Sequence, residues 1–265
     1  MHWTVFGGEG FIGKRLVDVL REQGRDVFVP GRYDTSKHAP ARGYGHAIWA
    51  IGLTADFRTR PFDTVDAHVG ALTPILRENA FESLLYLSST RIYQHAITAC
   101  ENAAISVNPN DPSDLYNLSK LAGESVCLAA PESVRVARLS NIVGAREAQR
   151  DTFIGALCRE AHNGHILLQS ASSSAKDYLW IDDAADLLVK IAERGTQRVY
   201  NVGSGRRLSH ADWLGAITEA TGATARVLDG APETTFPSID VTRVQSEFAF
   251  RASDPLARTN EIVMY

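Results

Sequence analysis

Tyr116 and Lys120 stand four residues apart in a stretch, Ser113 to Ala130, that reads as one long helix closed by Pro131. At this spacing the two side chains lie one above the other on a single face. A phenol with an unperturbed pKa of about 10 is a poor base at neutral pH. A lysine ammonium beside it favours the phenolate and makes the phenol usable as an acid or base near pH 7. The same lysine can hold a nicotinamide ribose. Ser88-Ser89-Thr90 follows an apolar strand, Leu84 to Leu87, and offers a hydroxyl that would polarise a substrate oxygen. Taken singly, each piece has an ordinary explanation, a snorkelling lysine on a helix face or a turn stitched by serine hydroxyls.

What joins these pieces is a turn at the start of the chain. Gly7-Gly8-Glu9-Gly10-Phe11-Ile12-Gly13 follows the apolar Trp3, Val5 and Phe6 and leads into an amphipathic stretch, Leu16 to Leu20. Strand, glycine-rich turn and helix in that order make a dinucleotide pocket. Gly7 permits the tight turn, Gly10 lets the backbone approach a pyrophosphate, and Gly13 lets helix and strand pack closely. The phosphates would face the free N–H groups of the helix N-terminus.

The elements that must position these groups alternate. Val27 to Val29, Ala47 to Leu53, Leu84 to Leu87 and Val134 to Leu139 read as strands, and Val65 to Leu76 has helical periodicity (Val65, Val69, Leu72, Leu76). A charged, proline-containing loop, Asp56 to Asp63, precedes that helix. Repeated strand-then-helix with short connections predicts an α/β fold, a doubly wound parallel sheet carrying its ligands at the strand C-termini. After Asn141 the texture changes. Thr152 to Asn163 reads as a helix, and Ser170 to Ala175 as a flexible loop or lid edge. Asp182 or Asp183 would cap a helix ending at Arg194 and Gly195, and Ser209 another ending at Gly222. The expected organisation is a dinucleotide-binding domain, mainly residues 1–145 with return segments from the C-terminal half, and a small substrate lobe, mainly 146–265.

With 265 residues, 45% hydrophobic and 22% charged, the chain can bury one α/β core with an appended lobe. A formal charge of −4 argues against nucleic acid or an anionic membrane as partner, so an anionic substrate must be met by local arginines. Three cysteines, Cys100, Cys127 and Cys158, have no paired spacing and fit a reducing cytoplasm. The first strand begins too early for a signal peptide, and no apolar run approaches membrane-spanning length. Histidines such as His38, His46, His68, His162 and His165 show no ligand spacing, so no metal is expected.

Nearly the whole chain resembles the extended short-chain dehydrogenase/reductases, the nucleotide-sugar epimerase/dehydratase family. Gly7-x-x-Gly10-Phe11-Ile12-Gly13 is similar to its cofactor turn, and Leu87 to Tyr93 to its active-site strand, with Ser89 in the catalytic Ser/Thr place. Tyr116 and Lys120 match its catalytic pair. Arg138 to Gly144 resembles the strand-end segment in which an asparagine, here Asn141, touches substrate and Leu139 lies by the cofactor. Lys176 to Asp183 and Tyr200 to Gly205 resemble two signatures of the C-terminal lobe. The resemblance implies a Rossmann domain, Ser89, Tyr116 and Lys120 as catalytic residues, and a homodimer through the Val65 to Leu76 and Ser113 to Ala130 helices. The chain departs from the family at Glu9, where the residue is usually small or hydroxylic. It departs again at Ile51-Gly52-Leu53, a cofactor segment that usually carries an alanine pair.

The second strand ends Val29-Pro30-Gly31-Arg32. An arginine there favours a 2′-phosphate, hence NADP(H), whereas Asp34 swinging in would make an NAD(H) site. The resembled dehydratases carry an Asp-Glu pair after the active-site residue. Thr90 and Arg91 stand here, which argues against a 4,6-dehydratase. The first expectation is therefore an NADP(H)-dependent reductase of a 4-keto-6-deoxy sugar nucleotide. An NAD-dependent epimerase using the same triad is the second. A non-catalytic dinucleotide-binding regulator is the third, and the intact Ser89, Tyr116 and Lys120 argue against it. Thr90 and Arg91 at the mouth of the site, with Lys176 and Arg243, are candidate substrate residues beside Asn141. Arg206 and Arg207 are further candidates for a diphosphate, and Cys100 for a second acid/base.

Overall fold

The near-continuous apolar runs become strands with both faces covered. A computed structural model describes residues 1–31, 40–53, 57–78, 80–145 and 152–264. Its strands are β1 (His2–Phe6), β2 (Asp26–Phe28), β3 (His46–Trp49), β4 (Ser83–Ser89), β5 (Val134–Leu139), β6 (Asn141–Val143), β7 (His165–Leu168), β8 (Ala175–Trp180), β9 (Val199–Val202), β10 (Arg207–Ser209) and β11 (Thr224–Val227). The helices are α1 (Phe11–Glu22), α2 (Pro61–Val65), α3 (Leu72–Glu78), α4 (Leu115–Ala129), α5 (Phe153–His162), α6 (Ile181–Arg194), α7 (His210–Thr221), α8 (Thr242–Phe248) and α9 (Thr259–Val263).

Among the described residues the main sheet runs β2-β1-β3-β4-β5-β9, and every neighbouring pair is parallel. β3 is buried throughout and β4 at every residue but Ser89. That burial is what an inner parallel strand covered on both faces requires. Helices α1 and α6 pack together over one face, while α4 packs on β4 and β5 from the other. The sheet is thus doubly wound. α4 ends where its apolar face ends, because Ala130 turns extended (φ −83°, ψ 173°) ahead of Pro131.

The C-terminal half builds a smaller body from β10-β8-β6, in which β8 runs antiparallel to β10 and parallel to β6, and from the parallel pair β11-β7. It returns β9 to the edge of the main sheet. Ser209 caps α7 as expected. Its Oγ accepts from the Asp212 N–H at 3.1 Å, the Asp212 carboxylate accepts from the Ser209 N–H at 2.7 Å, and Gly222 closes the helix at φ +71°. Replacing Ser209 by alanine is expected to cost about 1 kcal/mol, read as a lower denaturation midpoint at unchanged slope.

Three expectations need correction. Neither Asp182 nor Asp183 caps α6, whose N-cap is Trp180, although the helix does end at Arg194 with Gly195 as its C-cap. Asp182 instead accepts from Arg15 Nε at 2.5 Å and Trp180 Nε1 at 2.9 Å, and Asp183 accepts from the Ser253 N–H at 2.8 Å. Ser170 to Ala175 is no loose lid. Ser174 is 0% exposed, its Oγ accepts from the Thr234 N–H at 3.0 Å, and Ala175 already belongs to β8. The Val65 to Leu76 helix is interrupted, because residues 66–70 form a single π turn closed by the Ala71 N–H on the Asp66 carbonyl at 2.9 Å. The extra residue rotates His68 into the core and leaves Val65 42% exposed.

Candidate active site

The strand order reverses between β1 and β3, and the crevice at such a switch point opens beyond the strand C-termini. A cavity of about 610 Å³ lies there. It is lined by the start of α1 (Gly10, Phe11, Ile12, Gly13), the end of β3 (Ala50, Ile51, Gly52, Leu53), the end of β4 (Leu87, Ser88, Ser89), Tyr116, Lys120 and Leu139. Gly7 shapes the cavity without lining it. It turns at φ +77°, and its carbonyl accepts the Gly10 N–H at 3.0 Å. A Cβ at Gly13 would run into that same carbonyl oxygen. No side chain caps α1, so its first-turn N–H groups remain for a ligand. This cradle, clear of side chains and lined by free amides, fits a dinucleotide pyrophosphate. Glu9 is exposed and does not line the cavity.

A second cavity of about 200 Å³ shares Ser89, Tyr116, Leu139, Ser140 and Asn141 with the first. The two meet at the Ser89 and Tyr116 side chains. Ser89 Oγ accepts the Arg91 N–H at 3.2 Å. The Tyr116 ring is wedged between Phe57 (centroids 5.5 Å apart) and His68 (5.3 Å, edge-on). Lys120 is 5% exposed, donates to the Leu87 carbonyl at 2.8 Å and holds its Nζ 6.0 Å from the centre of the Tyr116 ring. Burial pushes its ammonium down to about 7, against the opposing pull of Glu124 and Cys127.

The smaller cavity is cationic. Thr90, Arg91 and Lys176 line it with Phe57, Phe236 and Pro237. The Arg91 guanidinium lies over Phe57 and Tyr116 (5.5 and 5.9 Å), and its buried Nε has no partner among the described residues. Burial, then the charge of Arg91, lowers the Lys176 ammonium from its ordinary value. Asp177 is the acid among the lining residues. Burial raises its carboxyl, which accepts the Ser204 and Gly205 N–H groups at 2.8 and 2.7 Å. That pairing joins the two C-terminal-lobe signatures. Asn141, which lines both cavities, donates Nδ2 to the Asp177 carbonyl at 2.9 Å.

Several candidates lie elsewhere. Arg243 donates to the Val199 carbonyl at 2.5 Å and lines neither cavity. Arg206 meets Asp254 at 3.6 Å, and Arg207 donates to the Phe236 carbonyl at 3.2 Å. Cys100 lines neither cavity. Arg32, Asp34 and Asp56 fall outside the described residues. Local sequence spacing does not mark Phe57, His68 or the 236–239 segment as site residues, whereas Asp177 falls within the Lys176 to Asp183 segment. Among the described residues no cluster of His, Cys, Asp and Glu is placed to hold a metal, and no helix is long and apolar enough to cross a membrane.

The model of the NAD dependent epimerase/dehydratase family matches residues 46–203. A dTDP-glucose 4,6-dehydratase of Streptomyces griseus is 31% identical over 161 residues, which cover 57% of this chain and 48% of that protein. A dTDP-6-deoxy-L-talose 4-dehydrogenase (NAD(P)(+)) of Kitasatospora kifunensis is 25% identical over 277 aligned positions, covering 90% and 87%. The match thus spans about half the length of the first relative and most of the second. Among solved structures, MoeE5 in complex with UDP-glucose and NAD superposes with a TM-score of 0.84 over 100% of this chain and 98% of that one. At 21% identity that likeness shows the shared fold.

Proposed function

This chain belongs to the NAD-dependent epimerase/dehydratase family of enzymes, of the extended short-chain dehydrogenase/reductase type, and from that membership we propose an NADP(H)-dependent reductase of a 4-keto-6-deoxy sugar nucleotide. The observation that carries this reading is the meeting of a dinucleotide-sized cavity and a cationic cavity at Ser89 and Tyr116. Bound in the larger cavity, a nicotinamide cofactor supplies the hydride. Ser89 Oγ, already accepting one N–H, donates its own proton to the substrate carbonyl oxygen and holds it against Tyr116. Tyr116 passes its phenolic proton to that oxygen as the alcohol forms. The Lys120 ammonium, within electrostatic reach of the ring, favours the phenolate left behind. Lys176 and Arg91 meet the anionic part of the substrate, and Asn141 orients the sugar.

The activity named for the Kitasatospora relative, at position 4 of a 6-deoxy sugar, agrees with this reading. Water elimination of the kind named for the Streptomyces relative needs a further acid, and among the described residues that line the two cavities Asp177 is the one carboxylate. Thr90 and Arg91 carry no carboxylate, and Asp177 is engaged by backbone amides. The preference for NADP(H) rests on Arg32 in the sequence. It is tested by denaturing the purified protein, identifying any released nucleotide, and titrating the emptied protein with NADPH and NADH. NADPH is expected to bind at least tenfold tighter, about 1.4 kcal/mol. Tightly retained NAD(H) would instead assign the triad to an epimerase that returns its hydride to the opposite face.

A further inference from the structure

Two cations stand at nearly the same distance from the Tyr116 ring. Lys120 Nζ is 6.0 Å from the ring centre, and the guanidinium carbon of Arg91 is 5.9 Å from it. Lys120 sits on the helix that carries the tyrosine, whereas Arg91 belongs to the turn that follows β4. Ser89 Oγ accepts the Arg91 N–H at 3.2 Å, which pins the backbone of that turn. The guanidinium also lies over Phe57 at 5.5 Å, a placement that suits its weakly hydrated plane. Arg91 is thus held at the tyrosine by its own turn and by the aromatic wall.

Little among the described residues neutralises that charge. Arg91 Nη2 reaches the Ser113 carbonyl only at 3.5 Å, and Nε has no partner. The acids whose charge it feels, Asp114 and Asp111, are engaged by other donors. Asp114 accepts the Asn108 N–H and Asn117 Nδ2, both at 2.8 Å, and Asp111 accepts the Ser113 N–H at 2.8 Å. The two cations also respond differently to pH. Burial brings the Lys120 ammonium down to about 7, so its charge fades as the pH rises past neutrality. Burial, then the charge of Arg58, lowers Arg91 as well. A guanidinium starts so high that it keeps its proton throughout.

We propose that Arg91 is a positioning residue for the Tyr116 proton, a second cation that favours the phenolate and persists where the Lys120 ammonium deprotonates. The inference rests on the reading of Tyr116 as the proton donor. As the phenol gives its proton to the substrate oxygen, negative charge appears on the ring oxygen. A fixed positive charge nearby, in a site partly closed to water, lowers the cost of that charge. The other groups around the ring cannot take this part. His68 meets it edge-on at 5.3 Å, and burial, then the charge of Lys120, pushes its imidazole down to about 2, so it stays neutral. Burial raises Tyr86 well above its ordinary value, so it too is uncharged. Lys176 places its Nζ at the Phe153 and Phe236 rings, 5.9 and 5.8 Å from their centres. Asp177 is held by the Ser204 and Gly205 amides.

Titration of Tyr116 in the ligand-free protein tests this without any turnover. NMR on ζ-13C-tyrosine protein reads the midpoint, with the resonance assigned by its loss in Tyr116→Phe. Arg91→Gln is expected to raise that midpoint by about one pH unit or more, since the phenolate loses a favourable charge. Arg91→Met keeps the apolar stem over Phe57 and is the second neutral variant if the first does not fold. Arg91→Lys keeps the charge and is expected to stay within about half a unit of the parent. When the enzyme runs from alcohol to ketone, Tyr116 must start as the base. The pH of half-maximal rate in that direction is then expected to rise by the same amount in Arg91→Gln. An unmoved Tyr116 midpoint in the neutral variants overturns the proposal, even with a raised KM, which would leave Arg91 as a substrate contact alone. A shift in Arg91→Lys as large as that in Arg91→Gln overturns it too, because charge would not be the cause. Undiminished turnover in Tyr116→Phe would instead overturn the reading of Tyr116 as proton donor, a result that the free-protein titration does not touch.

Discussion

Tyr116→Phe lowers turnover of a 4-keto-6-deoxy sugar nucleotide by about 10²–10⁴-fold, the usual worth of a positioned general acid. It leaves NAD(P)H affinity within about twofold. The substitution removes one oxygen and keeps the ring, which Phe57 and His68 hold on two sides, so the fold and both cavities persist. The loss falls on the chemical step, since the proton that must reach the substrate oxygen has lost its source. At about 1.4 kcal/mol per factor of ten the effect corresponds to about 3–6 kcal/mol of transition-state stabilisation. Rapid-mixing measurement of cofactor oxidation separates this step from binding. Unchanged single-turnover rates in the variant would remove Tyr116 from the chemistry and return the chain to the class of dinucleotide-binding regulators.

Glu124→Ala is expected to cost about 3–5 kcal/mol of folding stability, the typical result of stripping a buried charge of its partner. Arg138 and Glu124 are 6% and 2% exposed, and Arg138 donates its Nε–H to both Glu124 oxygens at 3.1 Å and an Nη2–H to Oε2 at 2.7 Å. Burial works against the charge on Arg138, but the hydrogen bonds to Glu124 outweigh it and hold the guanidinium above its ordinary value. Arg138 also donates to Tyr93 Oη at 2.7 Å and to the Glu101 carbonyl at 3.1 Å. Tyr93 in turn donates to Asn201 at 2.9 Å on β9. The network thus ties β4, β5, α4 and β9 together directly behind the active-site strand. Denaturant unfolding reads the loss as a lower midpoint. Glu124→Gln, which keeps shape and hydrogen-bonding capacity, loses less. Equal stability of Glu124→Ala and the parent would show that the guanidinium finds water once its partner is gone.

The legibility of the site followed the range of the interactions that build it. The pairing of Tyr116 with Lys120 needs only a helical repeat. The glycine turn needs only a strand before it and a helix after it. The doubly wound sheet follows from apolar runs separated by amphipathic ones. Each of these depends on neighbours a few residues apart, so spacing carries the information. The arginines show the converse. Arg91, Arg206, Arg207 and Arg243 look alike as candidates in the chain. Of the four only Arg91 lines a cavity, because it follows the end of β4, whereas Arg206 meets an exposed aspartate and Arg207 and Arg243 satisfy the Phe236 and Val199 carbonyls.

The amino-acid sequence by itself determined the family, the parallel architecture and the cofactor turn. Helical spacing picked out Tyr116 and Lys120 as candidate chemistry, and the family resemblance picked out Ser89 from the serine cluster that ends β4. Tertiary structure alone decided what surrounds them. A π turn broke an otherwise regular apolar period and carried His68 beneath the tyrosine. Asp177 was drawn onto the 203–205 loop, and Gly52 was set against the His68 and Lys120 side chains. These outcomes depend on packing between segments remote in the chain, where one inserted residue or one missing methyl resets a neighbour that no short-range pattern names.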